Sequence, residues 1–205
     1  MKIQRFRGVD SYGDRTLHTG GYSEKRQTYR AVKLLVLALI TLCLLGGIQT
    51  TLLAKIPLFV LPSASPALCL LFVLATGCVF GEKEGGICGC FGGIVAECLS
   101  MDALLGGIML LPLVYAVLGY ASGVLFQKIL AGNLPSFLVF AAVGSFFDGG
   151  FRYILMILRI GALPPFSFLT HGLLPVWILT VLFSPLIYLP VRAVKRKFDK
   201  DPLVT

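Results

Sequence analysis

Charge and histidine are what this chain has least of. Asp, Glu, Lys and Arg together make up 14% of its 205 residues, against about 25% in soluble domains. It has 2 histidines, one of them, His18, in the amino-terminal tail, a poor basis for acid–base catalysis. No His-Glu-x-x-His, no Gly-x-Ser-x-Gly and no phosphate-binding glycine loop ending in Lys-Ser/Thr occurs. The zinc-protease, serine-hydrolase and P-loop classes fall away, and the chain reads as a non-enzyme. Cys43, Cys69, Cys78, Cys88, Cys90 and Cys98 all lie in apolar segments. None forms a Cys-x-x-Cys pair or has a histidine set beside it, so they read as small apolar filler and no metal or cofactor is expected. About thirty polar residues precede the first hydrophobic run, which argues against a cleaved signal peptide.

Hydrophobic residues are what it has most of, at 57% against about 45–50% in soluble domains. A soluble fold cannot hide that much apolar surface, so the bilayer must act as solvent for most of it. The expected fold is all-α and integral to a membrane, with six transmembrane helices in one bundle. Residues 1–31 form a basic, largely disordered cytoplasmic tail in this reading, residues 32–191 the membrane domain, and residues 192–205 a second basic cytoplasmic tail. The formal charge of +8 does not indicate nucleic acid, because the basic residues concentrate in the tails.

Spans are expected at about residues 33–53, from Pro62–Pro66 to Phe80, and at about 85–100, 104–126, 135–158 and 166–189, the first near the ~20 residues that cross hydrocarbon. Proline punctuates them. Pro57, Pro62 and Pro66 mark an outer connection, Pro112 a kink in span four, Pro135 the start of span five, and Pro175 and Pro185 interruptions of span six. With both termini cytoplasmic, all 18 Lys and Arg residues except Lys55, Arg152 and Arg159 fall on the inner side, as the positive-inside rule requires. Gln49, near the outer end of span one, offers an amide to a neighbouring helix.

Span three carries the densest pattern. Gly85, Gly89 and Gly93 recur at four-residue spacing and stack on one face, which Glu97 continues. Glycine costs a water-exposed helix about 1 kcal/mol relative to alanine, but in a membrane it lets another helix approach closely. Gly119 and Gly123 offer a second such face on span four. Ionisable residues inside the spans are few. The helical rise puts Glu97 about 18 Å and Asp148 about 20 Å above the inner ends of their spans. Arg152 is the i,i+4 partner of Asp148, and His171 lies about 8 Å below the outer end of span six. A lone charge near the midplane costs at least ~2.5–3.5 kcal/mol. Common depth therefore suggests one inward polar cluster of Glu97, Asp148, Arg152 and His171, the alternative being a local Asp148–Arg152 pair with Glu97 apart.

On these residues the chain resembles the MreD family of bacterial rod shape-determining membrane proteins. The likeness begins at Gln49 and at Pro66 opening span two. It continues through Gly85 and Gly89-Cys90-Phe91-Gly92-Gly93, with Glu97 where the family more often carries Asp. It ends in the aromatic–proline segment 185–190 and a basic tail, covering about residues 32–198. The resemblance implies a non-enzymatic scaffold subunit of the machinery that builds sidewall peptidoglycan, in the bacterial cytoplasmic membrane. Its implied partners are a bitopic MreC-like protein and, through it, a RodA-like polymerase, a class-B penicillin-binding protein and MreB-like filaments. It also implies a six-helix arrangement similar to the substrate-binding subunits of energy-coupling-factor vitamin transporters. The small-residue faces at Gly85, Gly89 and Gly93, or at Gly119 and Gly123, would then receive a partner's transmembrane helix, and a homo-oligomer is also permitted. The alternative is that the chain is itself such a vitamin-binding subunit. Those usually carry an Ala-x-x-x-Ala contact in span one, whereas Ala38 here has Leu34 and Leu42 four residues away.

Overall fold

The segment Leu68–Phe80 is apolar on every side, and a helix without a polar face belongs in an interior. In the computed structural model, which describes residues 16–53, 66–100, 110–128, 133–160 and 172–199, it is the hub. The helices are α1 (Thr16–Ile48, continued by a π-helical turn at Gln49–Leu53), α2 (Leu68–Phe80), α3 (Glu82–Ser100), α4 (Leu111–Lys128), α5 (Leu134–Ile160) and α6 (Leu174–Asp199). No strand occurs among the described residues, so the fold is all-α. Three helical segments are long and apolar enough to cross a membrane: Val32–Thr51, Leu134–Leu158 and Leu174–Lys197. Leu68–Phe80 and Leu111–Phe126 are apolar but shorter, and α3 starts with charged residues.

The chain divides within α1 into two units, Met1–Ala38 and Leu39–Thr205. The first is helical from Thr16, so half of the tail expected to be disordered is regular. Lengthening an existing helix needs no new nucleus, since each added residue contributes a bond. In the second unit, all residues from Leu68 to Val79 are buried.

At 13 residues, α2 is about 20 Å long, short of an approximately 30 Å hydrocarbon core. Its end groups therefore need partners from protein, and distant helices supply them. The Gln49 side-chain oxygen accepts from the Leu68 amide at 3.0 Å, and the Thr180 hydroxyl of α6 accepts from the Ala67 amide at 3.1 Å. At the other end the Lys195 ammonium of α6 donates to the Val79 carbonyl. The core helix is thus held at both ends by side chains from α1 and α6.

Proline placement follows from its missing N–H. Pro112, Pro135 and Pro175 sit in the first turns of α4, α5 and α6, where that group has no helical partner. The expected mid-span kink at Pro112 is therefore a helix start, while π-helical residues 172–173 precede Pro175 and the stretch before them lies outside the described residues. Pro185 lies inside α6 and frees the Val181 carbonyl four residues back. The Ser184 hydroxyl fills that gap, donating to Val181 O at 2.7 Å.

Candidate functional site

Helices α3 and α4 run antiparallel and touch backbone to backbone along the glycine stripe. A methyl placed on Gly85 would lie 2.5 Å from the Gly77 Cα and 3.0 Å from the Gly119 carbonyl carbon. On Gly89 it would lie 2.6 Å from the Tyr115 carbonyl carbon and 2.8 Å from the Ala116 Cα. On Gly93 it would lie 2.6 Å from the Pro112 nitrogen. The relation is mutual: Gly119 faces the Gly85 carbonyl carbon at 2.8 Å and Gly123 the Gly81 carbonyl carbon at 2.6 Å. Both predicted small-residue faces are real, and each is the other's occupant. No room is left on them for a partner's helix, which corrects the expectation that Gly85, Gly89, Gly93, Gly119 and Gly123 receive one. The reason is energetic: five bare backbones left open to lipid would forgo the dispersion contacts that α4 supplies within the chain.

The polar cluster begins one turn beyond the stripe. Asp148 and Arg152 form the expected pair on α5, Nε donating to Oδ2 at 3.0 Å. In a helix the side chain leans toward the amino terminus, so the Arg152 head is drawn back over Asp148. A third member comes from α4: the Tyr115 hydroxyl, on a side chain 1% exposed, accepts from Arg152 Nη2 at 3.2 Å. Arg152 stays 35% exposed and Asp148 is buried, its Oδ1 without a hydrogen-bond partner among the described residues. Glu97 is buried at 2% exposure on α3, continuing the face that α4 covers. The direct bonds within the cluster join Arg152 to Asp148 and Tyr115, and so fix α5 to α4. His171 lies outside the described residues.

Tyr115 was not singled out by its sequence. Its signal was the stripe Leu111, Tyr115, Gly119 and Ser122, all buried, on which a phenol must find a polar partner. Ser122 bonds within that stripe, to Gly119 O at 2.7 Å. Thr180 and Lys195 carried no local signal, since each acts across more than a hundred residues. Among the described residues no three His, Cys, Asp or Glu side chains are grouped to hold a metal ion. What the arrangement does chemically is neutralise charge and lock helices in register. Comparison with family models, with curated proteins and with solved structures finds no match to the chain.

Proposed function

We propose that the chain is a non-enzymatic membrane scaffold subunit of the bacterial cell-elongation machinery, crossing the cytoplasmic membrane six times with both termini inside. Its proposed partners are an MreC-like bitopic protein and, through it, the glycan polymerase, the penicillin-binding protein and the filament. The supporting resemblance runs from Gln49 through the glycine stripe to Glu97 and the basic end of α6. The observation that carries the reading is how polar and small residues are spent. Gln49, Thr180 and Lys195 secure α2, the glycines seat α4, and Arg152, Asp148 and Tyr115 tie α5 to α4. What remains for the outside is apolar helix surface, which suits docking.

With the glycine face taken, a partner helix meets an outward one. On α5, Val139, Val143, Phe146, Phe147 and Ile154 form an exposed ridge, with Phe146 at 69%, and a methyl on Gly150 would meet nothing within 4 Å. A Gly150→Leu variant therefore keeps the fold and obstructs an approaching helix. Co-purification with the MreC-like protein is expected to be lost in Gly150→Leu and kept in Leu182→Ala on α6. Full retention in Gly150→Leu removes α5 as the docking face. Depletion in the cell of origin tests the function itself: rods should widen and round, and unchanged cell shape refutes it. A small vitamin retained on the purified chain would favour transport instead.

A further inference from the structure

We propose that Tyr188, Arg192 and Arg196 form a binding site for the phosphate of an anionic phospholipid at the basic end of α6; the proposal rests on the reading that α6 crosses a bilayer. At 26 residues, α6 is about 39 Å long and overruns an approximately 30 Å core. Counted from Leu174, the hydrocarbon ends near Arg192, at the level where lipid phosphates lie. Tyr188, Arg192 and Arg196 stand at four-residue steps on one face, and helical geometry leans each arginine back toward the residue one turn earlier.

Three observations separate this group from an ordinary solvated basic end. Among the residues whose side chains are described, which in α6 end at Lys197, neither arginine has an ion pair or hydrogen bond, whereas the neighbouring Lys195 is committed to the Val79 carbonyl. Tyr188 is 2% exposed, and its ring is fixed against Phe137 (centroids 4.5 Å apart, stacked) and Phe126 (6.4 Å, edge-on). Its hydroxyl is not itself buried and makes no hydrogen bond with another described residue, so a ring held in place presents an open phenol group. The open groups are two guanidinium forks, which only donate, and a phenol able to donate. Such a set selects anionic oxygen, and the planar forks match the paired oxygens of a phosphate. The carboxyl end of a helix repels anions, so the two arginines must outweigh it. Free inorganic phosphate shares the chemistry, but the depth of the site favours a lipid headgroup.

The test is native mass spectrometry of the detergent-purified full chain, titrated with phosphatidylglycerol, phosphatidylcholine or inorganic phosphate. Phosphatidylglycerol is expected to bind about 30-fold more tightly than phosphatidylcholine, the contribution of two basic residues at a membrane surface. Arg192→Gln with Arg196→Gln should abolish the preference, and Tyr188→Phe should weaken phosphatidylglycerol binding severalfold. Lys197→Gln, nine residues from Tyr188 and so on the opposite face, should leave it unchanged. If the double variant does not fold, Arg196→Gln, at an exposed position, should alone cost about fivefold. A preference that survives these substitutions, or that Lys197→Gln erases equally, overturns the site. Displacement of the lipid by millimolar inorganic phosphate overturns the headgroup assignment. Carbonate extraction of membranes separates the premise: release of the chain defeats the spanning reading, whereas retention without lipid preference defeats only this site.

Discussion

Gly89→Ala adds one carbon where α3 meets α4, and the cost follows from what surrounds it. The new methyl would sit 2.6 Å from the Tyr115 carbonyl carbon and 2.8 Å from the Ala116 Cα, against the 3.5–4.0 Å of a relaxed carbon contact. Both neighbours are backbone, so no rotamer change relieves the clash and the helices must part by about 1 Å. Overpacking of this kind costs about 1–3 kcal/mol, while alanine's helix propensity returns at most about 1 kcal/mol. Gly150→Ala makes the same chemical change in open space and should be neutral or slightly stabilising. The chain carries its own reporters: Cys43, Cys90 and Cys98 are exposed, whereas Cys69, Cys78 and Cys88 are buried. A thiol-reactive dye added to purified protein labels the first set at once and the second on thermal unfolding. Propensity cancels between the two variants, so the Gly89→Ala midpoint is expected to fall about 2–12 °C below that of Gly150→Ala, taking roughly 2–4 °C per kcal/mol for a chain of this size. Equal midpoints, or a higher one for Gly89→Ala, would refute the close α3–α4 approach and with it the internal use of the glycine stripe.

The same assay reaches the other contacts. Asp148→Leu and Arg152→Leu alone should each cost about 2–4 kcal/mol by stranding the other charge, and the double variant should cost less than the sum; strict additivity would show that the two do not interact. Tyr115→Phe, which removes the bond to Arg152, should cost about 1–2 kcal/mol and nothing further once Arg152 is already leucine; a full cost in both backgrounds would detach Tyr115 from the cluster. Gln49→Leu leaves the Leu68 amide its second acceptor, the Pro66 carbonyl at 2.9 Å, and should cost less than Thr180→Val. Thr180→Val should strand the Ala67 amide at the start of α2, costing about 1–3 kcal/mol and speeding hydrogen exchange there; unchanged exchange in Thr180→Val would exclude the capping role. Lys195→Met should do the same at the Val79 end, and dye access to Cys78 should rise; unaltered access would remove Lys195 as a cap.

Local pattern made part of this legible. The three long apolar helices follow from run length, Pro135 marks a helix start, and the Asp148–Arg152 pair follows from four-residue spacing. Gln49 was expected to bond a neighbouring helix, and it bonds α2. The glycine stripe announced a close contact but not its occupant. A bare face carries no address, and α4 differs from a partner's helix only in belonging to the same chain. Helix α2 hid its importance for the opposite reason: apolar on every side, it has no face to point with, and only three-dimensional packing reveals it as the hub. Tyr115, Thr180 and Lys195 were missed because each acts on a residue far along the chain. Glu97 was expected to be buried against protein, as it is, while its grouping with His171 falls outside the described residues.

One residue, Gly81, joins α2 to α3, with φ at 130°, a conformation that side-chain-bearing residues rarely adopt. So short a link leaves the second rod no freedom to spin about its own axis. Inserting a single amino acid at this corner would turn α3 through about 100°, swinging Gly85, Gly89 and Gly93 off α4 and bringing Glu84, Cys88 and Gly92 into their places. Angular phase along the hairpin is therefore carried by chain length at one corner, and substitutions elsewhere in the corner are better tolerated than any change in the number of residues it contains.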